Sequence, residues 1–139
     1  MNEYRAKDMT EGLSESFQVT ITEKMLSNFL EITSDTNPLH NDADFAKERD
    51  YKDRVAYGML TASFISTLAG VYLPGKYSLI QSVETKFVRP VYIGDTLTVS
   101  GTVVNTSEAA GQSEVKVVIT NQNNEKVLRG VLKVGFLNE

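Results

Sequence analysis

The chain has no cysteine, which excludes disulfides, thiolate nucleophiles and zinc–thiolate sites and fits a cytoplasmic protein. It also has no cluster of Lys and Arg: 14 basic residues stand against 18 acidic ones, for a formal net charge of −4. Nucleic-acid binding draws on gathered cations that release counterions from phosphates, so the composition argues against that class. A small anion held by one or two local cations is not excluded. The opening MNEYRAKDMT is polar and mixed in charge, without the apolar run of a signal peptide, and the expected location is the cytoplasm. One internal stretch has no charge at all. Between Arg54 and Lys76 there is no charged side chain, over nearly the length of a membrane span. Thr61, Ser63, Ser66, Thr67 and Gly70 interrupt it and Pro74 closes it. That pattern reads as a helix enclosed by protein, not by lipid.

What is present suffices for one domain over residues 1–139, since a chain of 139 residues with 41% hydrophobic content can bury a real core. Residues from Phe17 to Ile21 alternate as a half-buried strand does. Thr20 and Glu23 have the spacing of a capping box, and Met25, Leu26, Phe29, Leu30 and Ile32 follow at helical spacing until about Ser34. The segment SDTNPLHND, residues 34–42, is dense in turn formers, and Pro38 keeps Asn37 out of helical geometry. Asp42 can cap a short helix through Phe45 and Lys47. A loop from Asp50 to Tyr57 leads into the uncharged helix, expected from about Gly58 to Tyr72.

The second half is rich in Val, Ile and Thr. Strands are expected at about Leu79–Arg89, Thr96–Val104, Glu114–Thr120 and Lys126–Phe136, parted by turn signals at Gly94-Asp95, Ala110-Gly111 and Asn123-Asn124. Short connections between successive strands favour antiparallel pairing. A helix without a polar face needs cover, and an antiparallel sheet of about five strands is the cover available. The residues therefore point to an α+β domain with a sheet laid on one helix.

Three positions could carry chemistry. His40 is the only histidine, and imidazole moves protons near neutral pH. Asp35 lies five residues before it across a turn stiffened by Asn37-Pro38. By themselves these residue types favour a plain turn, with Asp35 as a cap and His40 at the surface, over an acid–base pair. Gly58 opens the uncharged helix, where unpaired N–H groups can hold negative charge and a glycine admits close approach. Relief of crowding between helix and sheet explains the same glycine equally well.

The strings SDTNPLHND, then DRVAYGMLTASFIS, then FVRPVYIGD resemble the (R)-specific enoyl-CoA hydratases of the MaoC-like dehydratase family, over about Glu31 to Leu97. The resemblance implies a hot-dog fold, an antiparallel sheet of about five strands wrapped around one long central helix. It implies reversible syn hydration of a trans-2-enoyl thioester to an (R)-3-hydroxyacyl thioester. Asp35 is then mainly the base and His40 mainly the proton donor. Asn37 holds the loop, and the Gly58 N–H binds the thioester carbonyl oxygen. Tyr57 stands where that family usually has histidine, at the pocket edge or thioester contact.

Neither metal nor redox cofactor is implied, because CoA or a carrier-protein arm arrives with the substrate. The same analogy implies a homodimer. Ala62, Ser66 and Ala69 share one face of the helix. They either allow close packing or leave room for the acyl tail, which makes Ser66 and Ala69 candidate substrate contacts. Lys86 and Arg89 read as a solvated strand face and are not counted as a site. The rival activities on such a fold are a thioesterase and a non-catalytic module that binds acyl thioesters.

Overall fold

The computed structural model describes residues 1–138. Five antiparallel strands form one sheet in the order β1-β3-β4-β5-β2. They are β1 (Ser14–Thr20), β2 (Ser78–Phe87), β3 (Thr96–Ser107), β4 (Gln112–Thr120) and β5 (Lys126–Phe136). The turns β3–β4 and β4–β5 are tight, with Gly111 and Asn124 in the left-handed region that their turn signals call for. Three helices lie between β1 and the central helix: α1 (Glu23–Thr33), α2 (Pro38–Asn41) and α3 (Ala43–Lys47). The central helix is α4 (Gly58–Thr67), which continues as a π-helical turn from Leu68 to Tyr72. This is the hot-dog arrangement, although its α-helical part is only 10 residues long.

The core lies where α4 and its π-turn meet the concave sheet face. Leu68 and Ile65 are buried with Leu97, Val99 and Val103 of β3, Val115, Val117 and Ile119 of β4, and Leu128, Leu132 and Val134 of β5. Burial alternates along β3 and β4 as a half-buried sheet requires. At Gly101 a Cβ would lie 3.0 Å from Leu68, so the missing side chain lets the helix settle on the sheet.

Three expectations are corrected here. The N-cap of α1 is Thr22, whose Oγ1 accepts from the Met25 N–H at 3.2 Å. Thr20 is held in β1 instead, paired with Thr96, and their hydroxyls bond at 3.0 Å. Next, β2 and β3 are consecutive but do not pair. The chain crosses from one sheet edge to the other between them, and β2 completes the sheet against β5. Finally, α4 is not enclosed on all sides by its own chain. Met59 is 65% exposed, and Ser63 and Ser66 on the same side are also exposed. Among the described residues no helix is long and apolar enough to cross a membrane.

Candidate active site

The loop from Ser34 to Asp42 is built by its own short side chains. Ser34 ends α1 in the left-handed region, with its N–H on the Leu30 carbonyl oxygen at 2.7 Å. Asp35 Oδ1 accepts the Asn37 N–H at 3.1 Å, and Asn37 Oδ1 accepts the Leu39 N–H at 2.9 Å, capping α2. Asp42 Oδ1 then accepts from the N–H groups of Asp44 and Phe45 and starts α3. Two successive caps turn the chain sharply, and the turn brings the Asp35 carboxylate and the His40 imidazole to one cavity.

That cavity, about 400 Å³, is walled by Asp35, His40, Tyr57, Gly58, Phe29 and Phe87 among others. Its electrostatics turn on one contact. Nδ1 of His40 lies 2.7 Å from the carbonyl oxygen of Val55. A carbonyl oxygen only accepts, so Nδ1 carries the proton and a neutral His40 presents a bare Nε2 lone pair. Asp35 uses Oδ1 locally and is exposed, so it can also receive a bond from a water or substrate.

Tyr57 is not a rim residue. It is 2% exposed, its ring lies 4.2 Å from the His40 ring and 4.9 Å from that of Phe29, and its hydroxyl donates to the Asp35 carbonyl oxygen at 2.8 Å. Asn41 Nδ2 donates to the same hydroxyl at 3.3 Å. Tyr57 thus ties the acidic loop, the imidazole and the start of α4 together. No side chain caps that helix start. A Cβ on Gly58 would come within 3.1 Å of the Phe87 ring, which would have to shift by a few tenths of an ångström, so glycine leaves the backbone most open there.

A second cavity of about 300 Å³ shares His40, Gly58 and Phe87 and extends past Ala56, Thr61 and Val91. On the other side, sharing Phe29 and Met59, an apolar groove of about 400 Å³ runs along Ala62, Ser63 and Ser66 to Ile80 and Val83. Ser66 therefore lines open space. Ala69 does not: it is 0% exposed within the core, in the π-turn that continues α4. Arg89 is engaged by the Lys126 carbonyl oxygen and Glu125.

A model of the MaoC-like domain matches residues 6–127. The chain belongs to the MaoC-like family. Its relatives include the (R)-specific enoyl-CoA hydratase of Rhodospirillum rubrum, 42% identical over 97 residues, which are 70% of this chain and 67% of that protein. The (R)-specific enoyl-CoA hydratase of Aeromonas caviae is 40% identical over 70 residues, 50% of this chain and 52% of that one. Among solved structures, the unliganded R-hydratase PhaJ1 from Pseudomonas aeruginosa superposes with a TM-score of 0.89 at 27% identity, over 97% of this chain and 86% of that one. The A. caviae (R)-hydratase gives the same TM-score and identity, over 94% and 98%. These likenesses extend the MaoC-like assignment from the matched segments to the whole sheet and helix.

Three site features escaped the sequence reading. The Val55 carbonyl that sets the His40 tautomer lies 15 positions along the chain, on a residue with no reactive side chain. Phe87 was part of a recognised string but carried no sign that it covers Gly58. Thr61 looked like one more small polar residue in an uncharged helix, and only its spacing of three from Gly58 could have drawn notice.

Proposed function

We propose that this MaoC-like chain reversibly adds water to trans-2-enoyl thioesters, giving (R)-3-hydroxyacyl thioesters. The observation that carries this reading is the His40–Val55 contact. It leaves Nε2 unbonded on a residue that borders the same cavity as Asp35 and the open helix start at Gly58. A base, a second oxygen ligand for water and an oxyanion donor are the groups that conjugate hydration needs. The hydratases and dehydratases among its relatives support the same chemistry.

Neutral His40 has no proton at Nε2 to give until it has taken one. The tautomer therefore favours a division of labour different from a simple Asp35 base and His40 donor. Water sits between Asp35 and Nε2, with one hydrogen on each. Its oxygen attacks C3 while Nε2 takes a proton, and the C2–C3 π electrons move toward the thioester carbonyl oxygen, which the Gly58 N–H holds. The imidazolium then delivers that proton to C2 on the same face, and both residues return to their starting states. The two residues then work as one unit on that water.

The thioester carrier is CoA or a carrier-protein arm, and no other cofactor takes part. The acyl tail leaves the cavity past Phe29 and Met59 into the groove beside Ser66. A second copy of the chain completes the molecule as a homodimer in the cytoplasm. The exposed apolar residues Leu79, Ile80, Val83 and Phe87 of edge strand β2, next to Met59, support that assembly. Crotonyl-CoA tests the reaction. Loss of the enoyl absorbance without release of free thiol is expected. Thiol release would make the chain a thioesterase, and binding without turnover would make it a non-catalytic acyl-thioester binding module.

A further inference from the structure

Thr61 is 2% exposed, and among the described residues its Oγ1 is the only buried side-chain nitrogen or oxygen with no hydrogen-bond partner. The other buried polar side chains are satisfied. Asp95 accepts from the Tyr92 N–H at 2.9 Å and from Gln122 at 3.0 Å, and Ser113 pairs with Thr106 at 3.0 Å. An unpaired buried hydroxyl is unfavourable, and valine would fill the same volume without one. A helical threonine commonly returns its proton to the carbonyl four residues back. Here that carbonyl belongs to Tyr57 and already receives the N–H groups of Leu60 at 3.1 Å and Thr61 at 3.2 Å.

The place of the hydroxyl suggests its partner. Thr61 borders the cavity that also contains His40, Ala56 and Gly58, and the nearby Val55, Val91 and Val127 offer no side-chain acceptor. Gly58 and Thr61 are the first and fourth residues of α4, so they lie on one face. Helical side chains lean toward the N-terminus, which brings the Thr61 hydroxyl over the turn that begins at Gly58. The residues that carry the unsatisfied hydroxyl and the uncapped N–H thus border one cavity, and a single acceptor that enters it and displaces the thin cover over Oγ1 can satisfy both.

We propose that the Thr61 hydroxyl donates a second hydrogen bond to the thioester carbonyl oxygen, beside the Gly58 N–H. The inference rests on the hydration reading. As water attacks C3, negative charge accumulates on that oxygen, and a donor already in place in an apolar setting stabilises it most at the transition state.

Thr61→Val removes the hydroxyl and keeps the shape, and Thr61→Ala, read beside it, guards against a steric fault in one variant. With crotonyl-CoA, kcat is expected to fall about tenfold or more with KM changed little, while the melting temperature does not fall for the valine variant. Thr61→Ser should restore most of the rate. In the slow Asp35→Asn background, infrared difference spectra of bound crotonyl-CoA labelled with ¹³C at C1 should show a smaller downward shift of the carbonyl band once Thr61→Val is added. Wild-type kcat in the variants, or an unmoved carbonyl band, would overturn the proposal. A wild-type chain that hydrates no enoyl thioester would instead sink the hydration reading, and this inference with it.

Discussion

The Tyr57 hydroxyl donates to the main-chain carbonyl of Asp35 at 2.8 Å, joining the residue before α4 to the loop that carries the carboxylate. The same ring lies against His40, so one buried side chain touches both residues proposed to act on water. Tyr57→Phe keeps the ring and deletes the bond. A stability loss of about 1 kcal/mol is expected for one hydrogen bond. Turnover should fall by roughly tenfold, more than that loss alone implies, because small displacements of a reacting group are costly. Steady-state kinetics beside a denaturation curve check it, and an unchanged kcat would reduce Tyr57 to a packing role.

Asp35→Asn keeps the loop shape but removes the charge, and His40→Ala removes the proton carrier. Each should lower kcat by about two orders of magnitude or more in a folded protein. If the two act on one water, the double variant will be little worse than the poorer single one. A double loss equal to the product of the singles would mean they act separately.

Gly58→Pro deletes the N–H at the first position of α4, where proline is sterically acceptable in a helix. The Phe87 ring, 53% exposed, has room to move aside. Turnover should fall about a hundredfold while substrate affinity changes much less. Near-normal turnover in a variant with the wild-type melting curve would take Gly58 out of the mechanism.

Ser66 and Ala69 should respond differently to enlargement. Ala69 is wholly buried, so Ala69→Leu overpacks the core and should cost about 1–3 kcal/mol on every substrate. Ser66 lines the groove beside Ile80 and Val83. Ser66→Leu should fold normally, keep activity on crotonyl-CoA and lose it progressively on longer enoyl-CoAs. Uniform loss across chain lengths for Ser66→Leu would place the tail elsewhere.

Much of this molecule is legible in its sequence because the signals are local. Strand β5 runs over the expected residues, and α1 stops at Ser34. Asp42 caps α3, and the turns at Gly94, Gly111 and Asn124 adopt positive φ. Each depends on side chains within a few positions of the backbone they satisfy. The string from Asp35 to His40 likewise contains everything needed to make its own turn. Other features depend on contacts between distant segments. Thr20 lost the cap to Thr22 because a ladder to β3, far along the chain, claimed it. The crossing of β2 to the far edge follows from where the sheet still had an unpaired strand, which turn residues cannot encode. The tautomer of His40 is set by the Val55 carbonyl, the Thr61 hydroxyl is left without a partner, and Ser66 lines a groove while Ala69 is buried. Sequence alone named the candidate residue types and the loop that carries them. The tertiary structure decided which atom of each is held by a hydrogen bond and which is left free, because that depends on partners brought together only by folding.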